Sequence, residues 1–241
     1  MLKIKFLGHS AFIFETEKTS LLVNPVLVNE EPVVPDDLDV RLIAITNHLD
    51  ETIGNAVEIS NTAKSWILGN EQTIARVKAK GGKPWLLHPL KYEVPYEIPG
   101  LKLTPFQLHR TITNEEGETE RVDNLGLYIE MGQMRVSYLG DTIVRGGFGS
   151  MEADVLITPV GNQGVFPVKD AVSLCIDLQP RIGIPMGWSS KEQLSKFDKY
   201  IDQFGQGTVS VIMVPPQELD LQWAAGNEFR YEIRDTFIQY R

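Results

Sequence analysis

Apolar and polar positions alternate with period two at the start of the chain, and Lys3 to Leu7 and Ala11 to Glu15 therefore read as half-buried strands, followed by Leu21 to Val23. The breaks Gly8-His9-Ser10 and Glu17-Lys18-Thr19 supply the turns. From Asn29 to Asp39 the pattern has no period and holds two prolines among five acidic residues, which predicts an exposed loop. Leu42 to Ile45 is a short apolar run, the mark of a buried strand. A polar turn follows, and Ile53, Val57, Ile59 and Ala63 carry a helical pattern to Lys64. Trp66 to Leu68 predicts a strand, and Glu71 to Lys80 a helix stopped by Gly81-Gly82.

Trp85 to Leu87, Leu101 to Leu108, Leu125 to Met131 and Met134 to Leu139 read as strands of a second sheet, with Thr113 to Asp123 as a solvated, charged loop. The last third alternates. Val155 to Pro159, Ile182 to Pro185 and Val209 to Val214 predict strands, and Val168 to Leu178 predicts a helix. Lys191 to Phe204 is amphipathic, with Leu194, Phe197, Ile201 and Phe204 on one face. Beyond Pro216, the alternating Phe229, Tyr231 and Ile233, with Phe237 and Tyr240, predict a tail strand or an interface segment. Periodicity alone gives an α/β protein with two sheets.

Composition narrows the classes. A chain of 241 residues with 42% hydrophobic and 23% charged residues is long enough to bury a sizeable core. Its 32 acidic and 23 basic residues give a formal charge of -9, which argues against nucleic acid or an anionic membrane as partner. No apolar run approaches the ~20 residues that span a bilayer. The N-terminus alternates like a strand and lacks the apolar stretch of a signal peptide. Cys175 is the one cysteine, set among Ala171, Val172, Leu174 and Ile176, so a packed thiol in a reducing compartment, the cytoplasm, is expected.

The stretch Ile43-Ala44-Ile45-Thr46-Asn47-His48-Leu49-Asp50-Glu51-Thr52-Ile53-Gly54 puts a polar loop between a strand end and a helix start, where α/β proteins place chemistry. It resembles the metal-binding loop of the metallo-β-lactamase superfamily, Thr-His-x-His-x-Asp-His-x-Gly. Thr46 and Gly54 stand in their places, while Asn47, Leu49, Glu51 and Thr52 stand where that family has His, His, Asp and His. Further pieces resemble the subgroup of metal-dependent hydrolases that includes ascorbate-6-phosphate lactonase. They are Gly8-His9-Ser10, Asn24-Pro25 for Asp-Pro, the isolated His109, Gly140-Asp141-Thr142, and Ile184-Pro185-Met186-Gly187 for Ile-Pro-Met-His. The resemblance covers roughly Met1 to Pro216. It implies a four-layer αββα sandwich in one domain spanning residues 1–241, with 217–241 a divergent C-terminal tail.

A hydrolytic zinc site needs imidazole or carboxylate ligands and one open position for water. Of the ligands the resemblance implies, His109 and Asp141 are unchanged. Leu49 and Gly187 offer no donor, and Asn47 and Thr52 offer poor ones. The expectation is therefore that the paired zinc site does not form and that no cofactor is needed. The alternative is one divalent cation, Zn²⁺, Mn²⁺ or Mg²⁺, held by oxygen atoms of Asn47, Glu51, Thr52 and Asp141. His109, Asp141, Asn47 and Glu51 are the candidate vestigial metal residues. His9, His109 and Asp141 are the candidate catalytic residues should proton transfer survive. His48 and His88 are read as bystanders, and Gly146-Gly147-Phe148-Gly149, lacking a P-loop lysine, as a loop. The function expected is that of a binding or interaction protein with a small-molecule or protein partner, forming a homo-oligomer through the tail. The alternative is a hydrolase of a small ester, lactone or phosphoester.

Overall fold

A computed structural model describes residues 1–113, 116–146, 151–161 and 164–235. The chain opens with β1 (Leu2–Gly8), β2 (Ala11–Glu15) and β3 (Ser20–Val23), then a two-stranded ribbon of β4 (Leu27–Val28) and β5 (Glu31–Pro32). Next come β6 (Leu42–Ala44), the short helix α1 (Asp50–Ile53), α2 (Ala56–Ala63), β7 (Trp66–Gly69), α3 (Glu71–Ala79) and β8 (Leu87–Pro89). The second half contains β9 (Tyr96–Ile98), β10 (Leu101–Thr113), β11 (Thr119–Met131), β12 (Met134–Tyr138) and β13 (Val155–Pro159). It continues with α4 (Val168–Leu178), β14 (Ile182–Met186), α5 (Lys191–Phe204), β15 (Val209–Ser210), β16 (Gln217–Ala224) and β17 (Glu228–Asp235).

Two sheets stack face to face. One has the order β17-β16-β1-β2-β3-β6-β7-β8, the other β15-β14-β13-β12-β11-β10-β9. Their facing sides form the central core. In β1 the pleat sends Leu2, Ile4 and Phe6 inward and leaves Lys3 and Lys5 half-buried on the other side. Phe6 and Phe12 lie 4.8 Å apart, and the Tyr138 ring meets Phe12 edge-on at 6.0 Å. Each such ring, fully buried, contributes about 2 kcal/mol or more. The outer face of the first sheet (Ile13, Leu22, Ile43, Ile67) is covered by Ile59 of α2 and Val77 of α3. That of the second (Leu108, Tyr128, Leu156) is covered by Leu174 and Cys175 of α4 and Phe197 and Ile201 of α5. The result is the αββα sandwich.

The helix ends follow local chemistry. Asn70 Oδ1 accepts the Thr73 amide at 2.9 Å to start α3, and Ser190 and Gln193 form a reciprocal capping box at α5.

Several elements differ from the sequence reading. Thr113 to Asp123 is no long loop, because β10 and β11 remain paired out to Thr113↔Thr119; their polar residues are the exposed face of a ribbon. Trp85 to Leu87 begins as a 3-10 turn at Pro84, and the strand that follows, β8, pairs parallel with β7 in the first sheet rather than the second. Only Val209 and Ser210 of the expected strand to Val214 pair with β14. The helical run from Ile53 to Lys64 is two helices, broken at Gly54. There φ is +53°, and an added Cβ would lie 1.4 Å from the Pro25 carbonyl oxygen, so no side chain fits. The segment from 217 runs back antiparallel along β1 through β16, which β17 extends, so its described part is a structural edge of the first sheet. Phe237, Tyr240 and Gly147-Phe148-Gly149 lie outside the described residues.

Candidate functional site

The ends of β1, β6, β12 and β14 and the middle of β10 converge on one rim of the sandwich. At its base is a buried polar lattice. Asn24 accepts the Thr46 amide through Oδ1 at 2.9 Å. Its Nδ2 donates to Thr46 Oγ1 and to Tyr138 Oη, each at 3.0 Å, and Tyr138 Oη donates to the Ser10 carbonyl at 2.7 Å. Burial pushes the Tyr138 hydroxyl well above its ordinary pKa, so it stays neutral and keeps its proton to donate. Asn47, fully buried, donates to Asn124 Oδ1 at 3.3 Å and accepts the Leu49 amide at 3.1 Å, while Asn124 donates to the Leu139 carbonyl at 3.0 Å. The amides at 24 and 47 therefore spend their polar atoms on the fold itself.

Above this base lies a cavity of about 500 Å³ whose wall includes His9, Val26, Glu51, Thr52, Arg110 and Asp141. Asp141, 6% exposed, accepts from Arg110 Nη1 through Oδ2 at 2.9 Å. The same Nη1 lies 3.3 Å from Glu51 Oε1, so one guanidinium stands between two carboxylates. Arg110 Nε is buried without a hydrogen-bond partner. Gly187, at φ +64°, donates its amide to the His9 carbonyl at 2.9 Å, and a Cβ built there would meet Asp141 Oδ1 at 4.0 Å and nothing nearer. A side chain at 187 would thus enter the space beside Asp141, and this chain leaves that space open. His9 is exposed at φ +51°, with Nδ1 3.3 Å from Ser10 Oγ.

Of the predicted residues, His9, Glu51, Thr52 and Asp141 share this cavity. Asn47 lies in the lattice and His109 is not on the cavity wall. In a strand neighbouring side chains take opposite faces; Arg110 takes the one toward Asp141, and His109 pairs across the ladder with Asp123. Burial lowers the His109 pKa, and Arg121 lowers it further against an opposing pull from Asp123. Asp50 is held by Arg76 Nε and Nη2 at 2.8 and 2.6 Å and by Lys80 at 3.4 Å, and the Arg76 hydrogen bonds draw its carboxyl down to about 2. His48 lines no part of the cavity, and its Nδ1 is buried without a hydrogen-bond partner. His88 packs on Tyr96 at 4.9 Å. Arg110 is the residue missed. Its position next to His109, after an alternating strand, was the available signal.

Among the described residues no group of three or more His, Cys, Asp or Glu side chains is placed to hold a metal ion. Of the oxygen set, Asn47 is engaged in the lattice, while Asp141 and Glu51 both contact Arg110.

The profile of the "Beta-lactamase superfamily domain" matches residues 3–187. A "UPF0173 metal-dependent hydrolase" of Methanosarcina mazei is 27% identical over 235 residues, covering 91% of this chain and 99% of that protein. One of Pyrococcus abyssi is 28% identical over 236 residues, covering 92% and 100%. Among solved structures, Igni18, a metallo hydrolase from Ignicoccus hospitalis, superposes with a TM-score of 0.69 at 16% identity, over 98% of this chain and 99% of that one. The metallo-β-lactamase fold protein YhfI from Bacillus subtilis gives 0.70 at 15% identity, over 90% and 98%. With the profile spanning most of the length, the fold matching throughout and the altered loop at the expected strand end, the chain belongs to the β-lactamase superfamily, with relatives named as metal-dependent hydrolases.

Proposed function

We propose that this protein is a metallo-β-lactamase-fold binding protein in which the Arg110 guanidinium takes the place of the metal charge. The observation that carries this is the contact of Arg110 Nη1 with both Asp141 Oδ2 and Glu51 Oε1. Two carboxylates at one site need a positive charge between them, and here the chain supplies it. A divalent ion entering beside Asp141 would have to displace a mostly buried arginine, and Asn47, Leu49 and Gly187 would give it little in return. Without a metal to lower its pKa, water at the site keeps its proton at neutral pH. The cavity then offers recognition: a lining that combines the apolar Val26 and Leu27 with the polar His9, Glu51 and Arg110 suits a small amphipathic molecule with hydroxyl or amine donors. The single buried thiol fits a reducing compartment such as the cytoplasm.

The names of the relatives favour a second reading, a hydrolase of a small ester, lactone or phosphoester with one divalent cation at Asp141 and Glu51. Assaying model esters, lactones and phosphodiesters with and without added Zn²⁺, Mn²⁺ or Mg²⁺ separates the two. The binding reading predicts no metal-stimulated turnover. A metal-stimulated rate abolished by Asp141→Ala would establish the second.

A further inference from the structure

The first sheet ends in β17, and its sequence is complementary to itself. Its residues run Glu228-Phe229-Arg230-Tyr231-Glu232-Ile233-Arg234-Asp235. Glutamate and arginine alternate on one face of the strand, and Phe229, Tyr231 and Ile233 fill the other. The apolar row lies on the same side as Leu219 and Leu221 of β16, yet Tyr231 and Ile233 are 44% and 43% exposed. Phe229 is half-buried against Trp223. Among the described residues β17 has a ladder partner on one side only, β16. The other sheet edges are short: β8 and β9 have 3 residues each and β15 has 2, against 8 in β17. A long edge with exposed apolar side chains is a template for pairing.

We propose that β17 is a homodimerisation edge, on which two copies pair antiparallel about a twofold axis through Tyr231 and join their first sheets into one. In that register Arg230 lies opposite Glu232 of the second copy and Glu228 opposite Arg234, and the twofold repeats both pairs. Tyr231 meets its own copy, and Phe229 meets Ile233. Sliding by two residues sets like charges opposite each other, arginine on arginine or glutamate on glutamate. Sliding by one sets charged side chains against the apolar row. The charge pattern thus selects a second copy of this chain, in one register, over an unrelated strand. In the isolated chain Arg230 pairs with Glu228, and Arg234 pairs with Glu232 and with Asp220 of β16. The inference is independent of the metal question at the other site.

Sedimentation equilibrium on the full chain over a micromolar to high-micromolar series tests it, with melting curves to show that each variant folds. Wild type is expected to reach a mass twice 27.1 kDa. Arg230→Glu, which places like charges opposite each other at two positions, is expected to weaken the dimer about tenfold or more. Combining it with Glu232→Arg is expected to restore association. A wild-type monomer throughout, a dimer indifferent to Arg230→Glu, or a double variant no better than the single one would overturn the proposal.

Discussion

Arg110, in β10, and Asp141, in the turn that follows β12, meet through Nη1 and Oδ2 at 2.9 Å, with both side chains mostly buried. This pair places an arginine beside an aspartate at which the family resemblance implies bound metal.

Removing the arginine leaves Asp141 and Glu51 facing each other without compensation. Arg110→Ala is expected to cost about 3 kcal/mol of folding stability, since breaking a buried pair strands a charge. Adding Asp141→Asn is expected to recover part of that loss. Urea unfolding of the two single variants and the double variant gives the coupling; additive losses would show that the pair is not coupled.

Gly54 admits no substitute. With φ at +53° and the Pro25 carbonyl 1.4 Å from an added Cβ, Gly54→Ala must move either the Pro25 backbone or the end of α1, the helix that carries Glu51 and Thr52. A loss of about 4 kcal/mol or failure to fold is expected. A melting temperature within a few degrees of wild type would show that the turn relaxes freely.

Asp50 gives the acid limb of stability a defined component. Its folded pKa is drawn from 3.8 to about 2, chiefly by the Arg76 hydrogen bonds. A depressed carboxylate contributes stability that is complete above the unfolded value and fades as pH falls from about 4 toward 2. Because both side chains are about half exposed, solvent screening keeps the effect small. Asp50→Asn should lower stability at neutral pH and leave it nearly unchanged at pH 2. Equal losses at both would refute the linkage.

Burial pushes the Cys175 thiol up to about 12. It is fully enclosed between α4 and β14, so alkylating reagents should leave native protein unmodified and label it only in denaturant. Mass spectrometry after brief iodoacetamide treatment checks this, and rapid native labelling would contradict the packing.

Much of the architecture was legible because burial writes a period into the chain. Leu2, Ile4 and Phe6 announce β1, and Leu194, Phe197 and Ile201 announce α5. At the site, the motif residues His9, Glu51, Thr52 and Asp141 line one cavity. What the sequence hid depends on pairing between distant segments. The antiparallel docking of β16 on β1 is invisible until register is known, and so is the extension of β10 and β11 through charged residues. Arg110 was masked by its neighbour: His109 carries the family resemblance, but adjacent strand residues face opposite ways, and the arginine takes the direction toward Asp141. Asn47, weighed as a weak ligand, is hydrogen-bonded to Asn124 and to the Leu49 amide within the buried lattice.

The most direct test of the guanidinium-for-metal account is metal content. Wild-type protein is incubated with excess Zn²⁺, passed through gel filtration and measured by inductively coupled plasma mass spectrometry. The account predicts far less than one zinc per chain, unchanged in Asp141→Asn. A stoichiometric pair of zinc ions per chain, lost in Asp141→Asn, would contradict it.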